Sequence, residues 1–298
     1  MRIRFMAFLI STFPFARRLF WRWWYNRLAR QVPVGDWTFM NYGLAWPDGE
    51  EEVSLLPSDE PDRLCVQLYH RVAAAGDLRD KDVLEVGAGR GGGASYVARY
   101  LEPAQLSAVD ISQEAIDLCA QLHEIPNLKF QLGDAEKLPF EDASFDAVLN
   151  VESSHCYGSM ETFVNEVARV LRLGGLFLWA DLRDAKDMRR LEELFAAHSA
   201  FEVVEQEDIA ANIDDALRAD DARKRARIIE LCPPHRREFF GQFAGLTGSV
   251  IQRSLHNGSI GYKRFVLRRV KSPQERRFLS VGLVEAMDWN RTGTDKWR

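Results

Sequence analysis

Short apolar runs alternate with longer amphipathic stretches through the middle of this chain. The runs at 83–86, 106–110, 128–132, 147–151 and 176–180 have strand length and are rich in aliphatic and aromatic residues. Between them, 92–100 and 113–123 repeat apolar residues at helical spacing, as do Phe163, Val164, Val167, Val170 and Leu171. Gly174 and Gly175 are expected to stop that last helix before the strand at 176–180. A helix over 63–74 leads into the first strand, and another strand is expected at 201–204. Such alternation predicts an α/β domain whose parallel sheet carries helices on both faces. Beyond 204 the pattern breaks. Residues 208–256 read as helices with an acidic front and a basic middle, RKRAR at 223–227. One reading is a solvated helical face, the other an insertion that roofs a pocket before a final strand at 261–269.

Chemistry enters at the first strand, which runs into GAGRGGG and opens the helix at 92. Gly87, Gly89 and Gly91 let the backbone turn sharply and approach a ligand closely. The N–H groups of the turn and helix start are expected to be free to favour an anion. Asp110 ends the next strand about 20 residues on, the spacing of an acid that accepts from ribose hydroxyls. Gly87, Gly89 and Gly92 also satisfy the dinucleotide fingerprint, so the glycines alone leave two cofactors open.

The remaining motifs separate them. GDAEKLPFEDASFDAVLNVESSH at 133–155, which holds GDAEKLPF and most of LNVESSHCY (149–157), and RVLRLGGLFLWADL at 169–182, which runs into ADLR (180–183), have no role in a nicotinamide site. With Glu85 two residues before the first glycine, Asp110, and the Asp134–Ala135 pair, the chain resembles the class I S-adenosylmethionine (SAM) methyltransferases. Together with SDEPDR, LYHR and GRGGGASY, these motifs are very similar to the phthiotriol and phenolphthiotriol dimycocerosates methyltransferases and to related natural-product O-methyltransferases. The resemblance covers roughly 37–183 and the last strand. It departs at Ala88, Arg90, Gly158 and Leu173.

The resemblance implies a Rossmann-like, seven-stranded, mostly parallel sheet with an antiparallel last strand, N-terminal helices and a helical lid. The expected organisation is a basic, aromatic segment and cofactor cover at 1–75, a SAM-binding core at 76–207, a lid at 208–258, a final strand at 259–270 and a tail at 271–298. In such enzymes Glu85 and Asn150 would serve the amino-acid end of SAM. Asp110 and Ile111 would serve the ribose side, and Asp134 and Ala135 the adenine. His155 and Asp181 are the expected catalytic pair, with Tyr42 and Tyr157 toward the substrate and no metal. An aliphatic hydroxyl has almost no alkoxide at neutral pH, and a histidine of ordinary pKa near 6.5 is neutral and ready to take its proton.

Composition sets limits on partners. The net charge of −5 argues against a general nucleic-acid binder. Cys65, Cys119, Cys156 and Cys232 form no CxxC pair, so neither a zinc site nor a disulfide framework is expected, and a reducing cytosol fits. Residues 1–35 hold seven arginines and no acid, interleaved with Trp21, Trp23 and Trp24. The apolar run at 5–15 is too short to span a bilayer, which takes about 20 residues. Peripheral contact of 1–30 with a membrane or lipid acceptor, and a packed helix with basic edges, are both open. The oligomeric state is not legible. Three functions compete: O-methylation of an apolar lipid or polyketide alcohol, C-methylation of a sterol- or quinone-like acceptor, and SAM binding without catalysis.

Overall fold

A computed structural model describes residues 37–270. The expectations for 1–36 and for the tail 271–298 lie outside the described residues. Seven strands form one sheet in the order β3-β2-β1-β4-β5-β7-β6. They are β1 (Asp82–Val86), β2 (Gln105–Asp110), β3 (Leu128–Leu132), β4 (Phe145–Val151), β5 (Leu171–Asp184), β6 (Phe201–Asp208) and β7 (Ile260–Arg269). β1 to β5 pair in parallel, while β7 inserts antiparallel between β5 and β6. The sheet order reverses at β1 and β4, so the crevice at their carboxyl ends is the natural ligand site.

Central strands bury both faces. Val83, Ala147, Leu149 and Leu178 look into one core with helices α1 (Arg63–Ala73) and α2 (Gly92–Tyr100). Leu84, Val148, Phe177 and Trp179 look into the other, with α4 (Met160–Val170) and α5 (Ala185–Ala197). Burying one such aliphatic side chain is worth about 1.5–3 kcal/mol, so the strand ends that carry the site rest on a rigid platform. Helix starts are set locally. The Ser112 hydroxyl caps α3 (Gln113–Leu122) by accepting from the Ala115 N–H, Ser159 does the same for α4, and Asp184 for α5.

Two expectations are corrected. The glycine pair does not end α4: the helix stops at Val170, and Leu171 turns extended to pair with Phe145. Gly174 and Gly175 sit within β5 where the register with β4 shifts; Gly174 has φ +82°, and a Cβ on Gly175 would lie 2.8 Å from the Asp146 carbonyl. β6 runs on to Asp208, four residues past the expected end, because β7 pairs along it and Arg264 bonds Glu205 and Glu207 on it.

The segment between β6 and β7 folds into α6 (Ala210–Ala219), α7 (Asp221–Leu231), α8 (Arg237–Phe243) and α9 (Val250–His256). Ile213, Ala216 and Leu217 of α6 are buried in the core, whereas α7 has no fully buried residue. Its basic run is neutralised locally, Arg223 by Asp220 and Asp62, and Arg225 by Asp221. Residues 37–46 cross over the carboxyl end of the sheet. The Gly92 N–H donates to the Thr38 carbonyl, the Tyr42 N–H to Glu152, and the Ala45 N–H to the Asn212 carbonyl on α6. Among the described residues, no helix is long and apolar enough to cross a membrane.

Candidate active site

A cavity of 380 Å³ opens where β1, β2 and β4 end, beneath residues 38–42 and the Gln242, Phe243 and Ile251 side chains of the inserted helices. The glycine loop forms its floor. Gly87 (φ +85°) has no room for a side chain, since a Cβ would fall 2.3 Å from Ser153 Oγ. At Gly89 a Cβ would meet only Met40 Sδ, at 3.5 Å, so the backbone faces open space there.

The loop N–H groups are not free, contrary to the expectation from sequence. Gly87 and Ala88 both donate to the Val109 carbonyl, Gly89 to Asp110 Oδ2 at 3.0 Å, Gly91 to the Ala88 carbonyl and Gly92 to Thr38. These five donors brace the turn against β2 and the cover segment.

Asp110, Ile111, Asp134 and Ala135 line the side of the cavity beyond β2 and β3. Burial pushes the Asp110 carboxyl up, opposed by hydrogen bonds from the Ser112, Gly89 and Ile111 N–H groups. Asp134 Oδ1 accepts from the Glu136 N–H, a turn that holds the Asp-Ala pair at the wall. Glu85 and Asn150 are not on the wall: both are buried behind the loop. Glu85 Oε1 accepts from the Tyr69 hydroxyl at 2.8 Å, and burial first, then Asp110, lift its pKa to about 7. The two N–H donors of the Asn150 amide are shared among the Val86 carbonyl, Ser153 Oγ and the Tyr157 hydroxyl, all within 3.0 Å of Nδ2. Tyr157 thus lines the cavity as part of this brace. Glu85 Oε2 and Asn150 Oδ1 have no partner among the described residues.

On the opposite side His155, in a short 3₁₀ turn after β4, lines the cavity, and Asp181 stands fully buried behind it on β5. His155 Nδ1 lies 2.9 Å from Asp181 Oδ1. The carboxylate is fixed from several directions. It accepts from the His155 N–H, the Leu182 N–H and the Ser154 hydroxyl, and it pairs with Arg183 at 3.1 Å. Ser154 Oγ in turn accepts from Trp179 Nε1 and Arg183. Burial would raise the Asp181 pKa, but Arg183 and His155 hold it well below the carboxylate range. Burial would lower the pKa of His155, yet Cys156 and the Asp181 carboxylate outweigh it and leave it well above 6.5. The sequence-based expectation of an ordinary imidazole is therefore corrected, because a buried anion favours the protonated ring.

Sequence reasoning missed Glu152. It sits at φ +46°, a conformation that costs a non-glycine residue free energy, and points into the cavity wall. Both its oxygens accept from the Tyr42 N–H at 3.1 Å, and Oε1 accepts from the Tyr262 hydroxyl at 2.9 Å. Burial first, then Asp181, raise its pKa to about 7. It locks the cover, β4 and β7 together and places Tyr42 at the cavity; its place in the LNVESSHCY motif was the available signal. Among the described residues no cluster fit to hold a metal occurs.

A pattern described as a methyltransferase domain matches residues 84–179. The phthiotriol/phenolphthiotriol dimycocerosates methyltransferase of Mycobacterium tuberculosis is 39% identical over 245 residues, 82% of this chain and 90% of its own length. This chain belongs to the class I SAM-dependent methyltransferase family. A fatty-acid O-methyltransferase of Mycolicibacterium smegmatis is 46% identical over 172 residues, 58% of this chain and 62% of that methyltransferase. Among solved structures, the cyclase SpnF aligns with a TM-score of 0.59 at 22% identity, covering 77% of this chain and 87% of that one. Geranyl diphosphate C-methyltransferase from Streptomyces coelicolor aligns at 0.55 and 16% identity, covering 83% and 98%. These two share the methyltransferase fold while carrying different activities, so the reaction has to be argued from the site.

Proposed function

We propose that this methyltransferase transfers the methyl group of SAM to an oxygen of an apolar lipid or polyketide-type alcohol, with His155 as general base and Asp181 as its positioning residue. The observation that carries the reading is the 2.9 Å contact between His155 Nδ1 and a fully buried Asp181, with His155 on the cavity wall. The names of its relatives point the same way: phthiotriol derivatives and fatty acids are lipid acceptors. C-methylation of a sterol- or quinone-like acceptor remains the competing reading.

The cavity suits the cofactor. Gly87 and Gly89 bring bare backbone to it, and Asp110 offers a carboxylate for the ribose hydroxyls. Asp134 and Ala135 present an acceptor and a donor for the adenine edge. Glu85 Oε2 and Asn150 Oδ1 are buried acceptors without partners among the described residues, and the Glu85 carboxyl would act on an ammonium through its charge from behind the loop. When bound, SAM supplies an electrophilic methyl on a sulfonium.

The protein's part is orientation and proton removal. Asp181 accepting from Nδ1–H fixes the tautomer, so that Nε2 is the basic nitrogen, and stabilises the imidazolium once the hydroxyl proton arrives. Phe243 and Ile251 from the inserted helices and Phe39 from the cover supply apolar surface that excludes water and suits a lipid chain.

The pH dependence tests this assignment. Only the neutral imidazole accepts a proton, and His155 in the free enzyme holds its own proton past the ordinary histidine pKa. Then kcat/KM rises with unit slope as pH increases through a value above 6.5 and levels off beyond it. Asp181→Asn, which removes the anion that raises that pKa, moves the limb to lower pH. A profile that is flat between pH 6 and 9 in the wild type would remove His155 from proton transfer.

A further inference from the structure

Arg90 stands in the glycine loop between Gly89 and Gly91, lines the cavity and is only 3% exposed. All three of its side-chain nitrogens lie buried without a hydrogen-bond partner among the described residues. The other two buried arginines of the described chain are satisfied: Arg264 by Glu205 and Glu207, Arg269 by the Leu171 carbonyl. A guanidinium taken out of water without an acceptor is unfavourable, and a bound anion is one partner that would complete it.

Two further observations bear on the ligand. The N–H groups of Gly87, Ala88, Gly89, Gly91 and Gly92 donate within the protein, so these five are engaged and do not face an anion. Arg90 is then the cation of this end of the cavity. Its guanidinium also lies over the Trp37 ring, 5.3 Å from the centroid, a contact that supports the cation but supplies no hydrogen-bond acceptor. Trp37 belongs to an adjoining groove of 110 Å³ that shares Phe39, Met40, Tyr42 and Phe243 with the main cavity. An anion at Arg90 is therefore within one continuous set of walls from both the cofactor and the acceptor regions.

We infer that Arg90 binds a carboxylate at the glycine-loop end of the cavity, supplied either by the amino-acid end of the cofactor or by an acidic lipid acceptor. This rests on the reading of the cavity as the SAM and acceptor site. Burial lowers the arginine's pKa from its ordinary value, which makes an anionic partner the more favourable.

Calorimetry with matched ligand pairs tests it on the full chain and on Arg90→Gln and Arg90→Lys. One pair is S-adenosylhomocysteine and methylthioadenosine, which share the adenosine and thioether but not the amino-acid part. The other is tetradecanoate and tetradecanol. In Arg90→Gln the carboxylate-bearing member of one pair is expected to bind about tenfold or more weakly while its partner is unchanged, with partial recovery in Arg90→Lys. Selective loss of S-adenosylhomocysteine assigns the carboxylate to the cofactor; selective loss of tetradecanoate assigns it to the acceptor. Equal losses within both pairs mean that the substitution has merely disturbed the cavity, and no loss means that Arg90 binds no carboxylate; either overturns the inference. Wild-type protein that binds neither nucleoside breaks the cofactor reading of the cavity instead, and the Arg90 assignment falls with it.

Discussion

His155→Ala is expected to lower turnover by about 10²–10⁴-fold, the usual contribution of a general base, while SAM affinity stays within twofold of wild type. The split follows from position. His155 follows β4 and bonds Asp181 on β5, whereas Asp110 and Asp134 stand at the ends of β2 and β3, on the other side of β1. Removing the imidazole leaves the alcohol to lose its proton to water, and only orientation beside the methyl donor remains to accelerate the reaction. Asp181→Asn is expected to lose less, since the ring stays in place and Ser154 and the backbone N–H groups still hold the side chain behind it. Single-turnover rates with pre-bound cofactor read this directly. Wild-type rates in His155→Ala would leave Tyr157 or proximity as the account.

The second large effect concerns affinity rather than rate. Asp110→Ala is expected to weaken SAM at least about tenfold, because hydrogen bonds to a charged carboxylate are worth about 1.5–3 kcal/mol each and two ribose hydroxyls lose their acceptor. The structure adds a further cost. Asp110 also accepts from the Gly89 and Ser112 N–H groups, so the same substitution unties the glycine loop from β2. Asp110→Asn keeps an acceptor for one of these and is expected to fall between alanine and wild type. Calorimetry showing unchanged affinity in Asp110→Ala would take this residue out of the site.

Local pattern made the platform legible. Strand-length apolar runs and helical spacing located β1 to β4 and α2 to α4 within a few residues, and the centre though not the ends of β5, since burial on a central sheet leaves its period in the sequence. The edge of the sheet was less readable. β6 is exposed along most of its length, so its extent depends on pairing with β7 rather than on any apolar alternation. At the site, glycines and strand-end carboxylates have fixed offsets along the chain, and those offsets were visible. What they bond was not. The use of the loop N–H groups, the 110-residue separation between Glu152 and both Tyr42 and Tyr262, and the protonation of His155 are products of tertiary packing. Arg90 illustrates the point most sharply: in the sequence it is one more loop arginine, and only the fold shows its nitrogens buried and unmatched.

The central claim is transfer of a methyl group to oxygen. Incubating the enzyme with SAM carrying a carbon-13 methyl and a long-chain aliphatic alcohol, then recording the carbon-13 NMR spectrum of the extracted product, tests it most directly. The account predicts label in an acid-stable methyl ether, at the chemical shift of a carbon bonded to oxygen. No ether from the alcohol, with label instead in a methyl bonded to carbon when a quinol or sterol acceptor replaces it, would contradict it and favour the sterol- or quinone-type reaction.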